Sequence, residues 1–193
     1  RNGAGQLPRA LAARISDLRL NTQVNAIKGG TVVTSQGPIE ADEIIVATDL
    51  TTAAQLLDLR DIPEMVGCTT WYHSTPDSPS KSARLVIDGQ ARGPVLNTLV
   101  ISNLSSTYAP VGQNLIATTS TLGATESEVR RHLSLLWGDD TRAWNLVAKY
   151  DIPTALPLQG VNKKLAQGPQ ISDGVYIAGD HTSVPSQNGA LLS

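Results

Sequence analysis

Cysteine is nearly missing from this sequence: of 193 residues only Cys68 is one. A single thiol excludes an internal disulfide and any metal site built from several thiolates, and leaves Cys68 as an ordinary, partly buried free thiol. A strong charge of one sign is missing too. The formal net charge is −2 and the 15 Lys and Arg residues are scattered, so no basic stripe exists to neutralise phosphates, and nucleic acid is excluded as a partner. No apolar run approaches the roughly 20 residues of a bilayer-spanning helix. With no signal sequence evident, the expected compartment is the cytoplasm, and peripheral membrane contact is left open. Histidine is scarce. His73, His132 and His181 lie far apart in the chain, so no metal is expected, and His132, beside Arg130 and Arg131, is expected to be solvated. No Gly-x-Ser-x-Gly elbow accompanies the many serines, which removes support for a serine hydrolase.

With 40% hydrophobic and 17% charged residues, the chain has the composition of a soluble globular protein. At this length folding buries about 70% of the unfolded surface, enough for one large or two small domains. Neither a tandem repeat nor a low-complexity segment is visible.

The pattern predicts a helix over Leu7 to Leu18, with Pro8 in its first turn and Leu7, Leu11 and Ile15 on one stripe facing a core. The preceding Gly3-Ala4-Gly5 is not a dinucleotide fingerprint, because no strand precedes it and Pro8 stands where the third glycine belongs. Alternation through Leu18, Leu20 and Val24 predicts a half-buried strand, Gly29-Gly30 a turn into Thr31 to Thr34, and Gln36-Gly37-Pro38 a turn into Ile39 to Asp42. Glu43 to Thr48 reads as a buried strand, after which Asp49 can cap a short helix carrying Ala53, Ala54, Leu56 and Leu57. Strand candidates then follow one another at Cys68 to His73, Ala83 to Asp88, Val95 to Ser102, Leu115 to Thr121 and Leu146 to Ile152. Successive strands of this kind predict an antiparallel sheet. One helix interrupts them: Thr125 and Glu128 have capping-box spacing, Val129, Leu133, Leu136 and Trp137 share a face, and Gly138 suits the stop.

The last stretch holds the most chemistry. Val175 to Ala178 suits a buried strand, Gly179-Asp180 its carboxyl end, and a polar loop leads into a helix near Gln187. Ligands in α/β sheets bind beyond the carboxyl ends of strands, and there Asp180 could accept hydrogen bonds from sugar hydroxyls. His181, next to it, could titrate near neutral pH; the plainer reading is a loop histidine that satisfies local backbone groups.

These residues also carry a resemblance. Gly179-Asp180, Pro185-Ser186 and Asn188-Gly189-Ala190 resemble the C-terminal flavin-binding signature of the FAD-dependent amine oxidase, protoporphyrinogen oxidase and phytoene desaturase superfamily. The resemblance implies FAD as cofactor, with Asp180 at its ribityl and pyrophosphate region. It also implies that the first turn of the last helix, around Asn188, Gly189 and Ala190, is aimed at the isoalloxazine ring. The Val24 strand would offer its backbone to the adenine, and the strand end Ala47-Thr48 would approach phosphate and ribose. The Leu7-Pro8-x-x-Leu11 helix resembles a structural element of that superfamily, and Cys68 is too far from the C-terminal motif to attach FAD covalently. Many amine oxidases there place an aromatic residue just before the terminal Gly-Ala; Ser186-Gln187-Asn188 stands in that place here, as in phytoene-desaturase-like members.

The expected fold is therefore α/β plus α+β. A discontinuous, partial FAD-binding domain (residues 1–58 and 168–193) would carry an inserted antiparallel-sheet substrate domain (59–167), with Trp71, Tyr72 and Tyr150 on its pocket. The expected function is an FAD-dependent oxidoreductase that dehydrogenates or desaturates an apolar small molecule by hydride transfer to flavin. No residue stands out as a catalytic acid or base. Opening on Arg1 and stopping at Ser193 one turn into a helix, the chain reads as the C-terminal portion of an enzyme whose N-terminal Rossmann portion is its missing partner, and alone it is expected to be inactive and apo. The alternative is a non-catalytic binding or assembly module that uses the antiparallel sheet.

Overall fold

A computed structural model of the protein describes residues 3, 5–158, 160 and 168–193. Arg1, Asn2 and Ala4 of the glycine-rich entry, and residues 161–167 at the end of the expected insertion, lie outside the described residues. The chain divides into two compact units, Arg1–Ile15 with Gly67–Pro153 and Ser16–Val66 with Thr154–Ser193.

The first helix, α1 (Gln6–Ala12), is shorter than its apolar stripe. The N–H groups of Arg14 and Ile15 bond three residues back, to Leu11 and Ala12, and the turn tightens and ends. Leu7, Leu11 and Ile15 are exposed, so the stripe faces no core among the described residues. Periodicity shows which residues share a face and supplies no surface to cover it. Leu18 and Leu20 are exposed as well and precede the strand rather than belong to it, because Asn21 takes a φ of 55° and interrupts the extended run. β1 (Val24–Lys28), β2 (Thr31–Thr34) and β3 (Gly37–Glu40) then form an antiparallel meander. Gly29 and Gly30, at φ 51° and 86°, make the tight turn between the first two. β4 (Ile44–Val46) leads to α2 (Leu50–Leu57), whose first turn is capped by Asp49 accepting from Thr52 N–H at 3.1 Å.

β5 (Met65–Thr75), β6 (Val95–Val100) and β7 (Asn114–Thr121) belong to a four-stranded sheet that β8 (Asn145–Pro157) completes in the order β6-β7-β5-β8. Pro153 and Pro157 are tolerated because β8 is an edge strand. Ala83 to Asp88 is not a strand: Val86 makes one isolated bridge, to Thr98. Its neighbours satisfy their backbone through side chains instead, with Ser82 Oγ accepting from Arg84 N–H and Asp88 accepting from the N–H groups of Gln90 and Arg92. Between β7 and β8 lies α3 (Glu126–Trp137), with Thr125 and Glu128 closing a full capping box and Gly138 stopping it at φ 64°. Its Val129 and Leu133 are fully buried in a core with Trp71, Val95, Val100, Ile116 and Trp144.

His132 overturns its expected solvation. It is 4% exposed, its Nδ1 accepts from Val95 N–H at 3.0 Å, and its Nε2 lies 2.9 Å from Asp88 Oδ2. A β-carbon on Gly93 would stand 2.6 Å from Nδ1, so the ring fits only against a glycine. Charge in the neighbouring sequence said nothing of this, because Arg130 and Arg131 point elsewhere around the helix.

β9 (Gln170–Ser172) and β10 (Val175–Ile177) join β4 in a sheet of order β4-β10-β9, with β10 parallel to β4. Ile44, Val46, Ala53 and Ile177 form this unit's core, covered by residues that include Ile27, Val32, Leu56 and Leu57. The chain closes on α4 (Gln187–Leu192).

Candidate functional site

Two parallel strands place the site. Ile44, Ile45 and Val46 pair with Val175, Tyr176 and Ile177, and Ala178 N–H donates to Val46 O at 3.0 Å. The carboxyl ends therefore lie side by side and bring Ala47, Thr48 and Asp49 next to Gly179 and Asp180. Such an edge is where α/β sheets bind ligands, since the connecting loops leave the sheet there.

Beyond Gly179 the chain makes a 3-10 turn, Asp180–Thr182. Thr182 anchors it twice to Gly179 O, through N–H at 3.0 Å and Oγ1 at 2.8 Å. This turn lays the His181 ring against Gly179, where a β-carbon would stand 2.7 Å from Nδ1. The His181 side chain is 5% exposed, its Nδ1 lies 3.9 Å from Asp180 Oδ1, and its Nε2 is buried without a hydrogen-bond partner among the described residues. The expected loop histidine bonded to local backbone is thus not what the structure contains. Burial lowers its pKa against the opposing pull of the Asp180 and Asp49 carboxylates, which keeps the ring neutral at pH 7. The Asp180 side chain is 30% exposed, and its carboxylate accepts no hydrogen bond among the described residues, although the Asp180 carbonyl accepts from Ser183 N–H.

The next corner is equally tight. Ser186 caps α4, its Oγ accepting from Gly189 N–H and its carbonyl from Ala190 N–H, both at 3.0 Å. Those two amides are taken within the helix, whereas the amides of Gln187 and Asn188 have no acceptor among the described residues. A β-carbon on Gly189 would overlap the Val184 carbonyl, so this position is closed to any larger residue. Ser193 Oγ accepts from Gly179 N–H at 3.0 Å and ties the end of α4 back to the end of β10.

The other predicted site residues are dispersed. Val24 begins β1, in the meander rather than in the β4-β10-β9 sheet. Trp71 is a core residue, 2% exposed, with Nε1 donating to Ser120 Oγ at 2.9 Å. Its face was legible from alternation, but which face meets α3 was not. Tyr72 and Tyr150 stand on the opposite side of β5 and meet edge to face, with centroids 6.2 Å apart. Asp49 and Ser193, which also build the corner, carry no sequence signal for a site beyond the capping potential of Asp49. Among the described residues no group of three His, Cys, Asp or Glu could hold a metal ion, and no helix is long and apolar enough to cross a membrane.

Over residues 1–193 the chain matches the family model of the flavin containing amine oxidoreductases. No curated protein sequence matches it. Among solved structures it is similar to a reduced UDP-galactopyranose mutase, with a TM-score of 0.69 and 16% identity over 100% of this chain and 50% of that one. A putative protoporphyrinogen oxidase from Exiguobacterium sp. 255-15 gives 0.65 and 16% over 91% and 45%. An oxidoreductase from Methanosarcina mazei gives 0.62 and 12% over 88% and 46%. At these identities the likeness is one of fold, a mixed α/β architecture with antiparallel sheets, and the chain spans about half the length of each of these structures. The match from end to end to one family model makes the assignment: the chain belongs to the flavin containing amine oxidoreductase family.

Proposed function

We propose that this chain is the C-terminal portion of an FAD-dependent oxidoreductase and that the Asp180 corner is one wall of its flavin site. The observation that carries the reading is the parallel pairing of β4 with β10, which sets Ala47 to Asp49 beside Gly179 and Asp180 at two carboxyl ends. The residues present suit the cofactor. An open carboxylate on Asp180, a buried unpartnered nitrogen on His181 and the two unengaged amides of α4 make a set of acceptors and donors matched to a polyol and a polar ring. A bound flavin supplies the hydride acceptor. Asp180 would hold hydroxyls, the amides of Gln187 and Asn188 would offer hydrogen bonds to electron-rich oxygens, and Gly189 would keep the Ser186 turn closed beneath them.

In this reading the unit Ser16–Val66 with Thr154–Ser193 is part of a discontinuous FAD-binding domain, and the unit with the β6-β7-β5-β8 sheet is the substrate domain. The N-terminal Rossmann portion belongs to the same longer protein. The absence of an aromatic residue at Ser186-Gln187-Asn188 supports dehydrogenation or desaturation of an apolar molecule over oxidation of an amine, and the Tyr72–Tyr150 pair offers an apolar surface for it. The test is to purify the full-length protein, denature it and identify the released chromophore by mass. FAD in stoichiometric amount is expected; a colourless protein that FAD cannot reconstitute overturns the reading.

A further inference from the structure

We propose that His181 is a flavin-binding residue whose Nε2 accepts a hydrogen bond from a sugar hydroxyl of the cofactor, alongside the hydroxyls taken by Asp180. The inference rests on the flavin reading above and goes beyond it, since nothing in the family's match or fold assigns this side chain a role.

Three observations carry it. First, Nε2 is buried and has no partner among the described residues, which leaves a costly unmet hydrogen bond that a ligand hydroxyl would satisfy. Second, the ring is held there: it lies against the glycine at 179, and the turn that bears it is fastened by both bonds of Thr182 to Gly179 O. Third, the location is the carboxyl end of β10 beside β4, within the corner that would face a ligand.

The hydrogen-bond polarity follows from the neighbours. Nδ1 faces Asp180 Oδ1 at 3.9 Å, and a carboxylate there favours the tautomer with the proton on Nδ1. The neutral ring then presents a lone pair at Nε2, which needs a donor. A phosphate oxygen offers none at neutral pH, whereas the ribityl and ribose hydroxyls of FAD do. Asp180 and His181 together thus form a double acceptor suited to a polyol.

The experiment uses the full-length protein, with FAD and FMN titrated into wild type, His181→Leu and His181→Gln, and with melting of each apoprotein measured in parallel. His181→Leu is expected to weaken FAD binding by about tenfold, the worth of one hydrogen bond. His181→Gln, whose amide oxygen can still accept, should keep affinity within about threefold of wild type. The apoprotein of His181→Leu should melt no lower than wild type, since the substitution removes a buried nitrogen that lacked a partner. Equal losses for FAD and FMN assign the hydroxyl to the ribityl chain, and a loss confined to FAD assigns it to the ribose. Unchanged FAD affinity in His181→Leu overturns the inference, as does an apoprotein melting loss that accounts for the whole effect. Wild type that binds neither flavin overturns instead the reading on which it rests.

Discussion

His132 Nε2 and Asp88 Oδ2 meet at 2.9 Å, and each of the two side chains is only 2% exposed. Because His132 Nδ1 accepts from Val95 N–H, the ring proton sits on Nε2 and is aimed at the carboxylate. Arg92 bonds to the same carboxylate through its side chain and backbone N–H and, with His132, holds Asp88 well below the usual carboxylate range. Replacing Asp88 by Ala would strand the buried Nε2–H of His132 and release the exposed Arg92, and removal of one partner from a buried pair is strongly destabilising. Thermal denaturation of Asp88→Ala should show a melting temperature lower by roughly 5 °C or more. The sign with pH follows: the Asp88 contribution is present above its unfolded pKa and is lost as pH falls toward the depressed folded value. An unchanged melting temperature would show the network to be ornamental.

His73 gives a second titration, with opposite chemistry. Its ring is fully buried, stacked on Trp71 with centroids 6.4 Å apart, and neither ring nitrogen has a hydrogen-bond partner among the described residues. Burial, with the Arg130 charge adding to it, lowers its pKa to about 4, while Glu126 at 3.9 Å opposes weakly. The unfolded chain therefore binds the proton more readily than the folded one between about pH 6.5 and 4. Stability should fall on acidification through that window, by on the order of 3 kcal/mol at most. Urea melts of wild type and His73→Phe at a series of pH values check this: the variant should lose that part of the slope.

The two glycines of the corner are expected to be irreplaceable for different reasons. Gly179→Ala would push the His181 ring from its place, and Gly189→Ala would drive a methyl into the Val184 carbonyl. Gly189→Ala meets backbone, which cannot rotate away, so it should be the more damaging. In the full-length protein each should lower FAD retention on gel filtration, Gly189→Ala by at least about tenfold.

Helix α3 provides a control far from the corner in sequence. Thr125→Ala removes the cap and should cost about 1 kcal/mol, whereas Leu133→Ala opens a cavity against Trp71 and Ile116 and should cost about 3 kcal/mol. Both are measured by urea denaturation, and both should leave the affinity for FAD unchanged.

What the sequence made legible was local. The Thr125 capping box, the Gly29-Gly30 turn and the Asp49 cap each satisfy backbone groups within a few residues, so α3, the β1-β2 hairpin and the start of α2 could be read directly. The strand, loop and helix from Val175 onward were legible for the same reason. Long-range partners were not. The stripe of Leu7, Leu11 and Ile15 looked like a core face and has no cover among the described residues. Ala83 to Asp88 read as a strand, but only Val86 reaches a partner strand, while Ser82 Oγ takes the Arg84 N–H and the Asp88 carboxylate closes a turn onto the N–H groups of Gln90 and Arg92. His132 was judged by its charged neighbours, while its actual partners, Asp88 and Val95, are 44 and 37 residues away. The candidate site was half legible: the Gly179-Asp180 motif marked the strand-end corner, and the burial of His181 Nε2 beside it depended on a fold in the chain that no spacing reveals.

The central claim is that Asp180 helps to hold a flavin, and FAD titration of the full-length apoprotein tests it most directly. Asp180→Ala should bind FAD at least about tenfold more weakly than wild type, as expected for loss of a charged acceptor to sugar hydroxyls. Far-UV dichroism and apoprotein melting should meanwhile stay close to wild type, because the carboxylate bonds to nothing else among the described residues. Equal FAD affinity in wild type and Asp180→Ala would contradict the assignment of this corner to the cofactor.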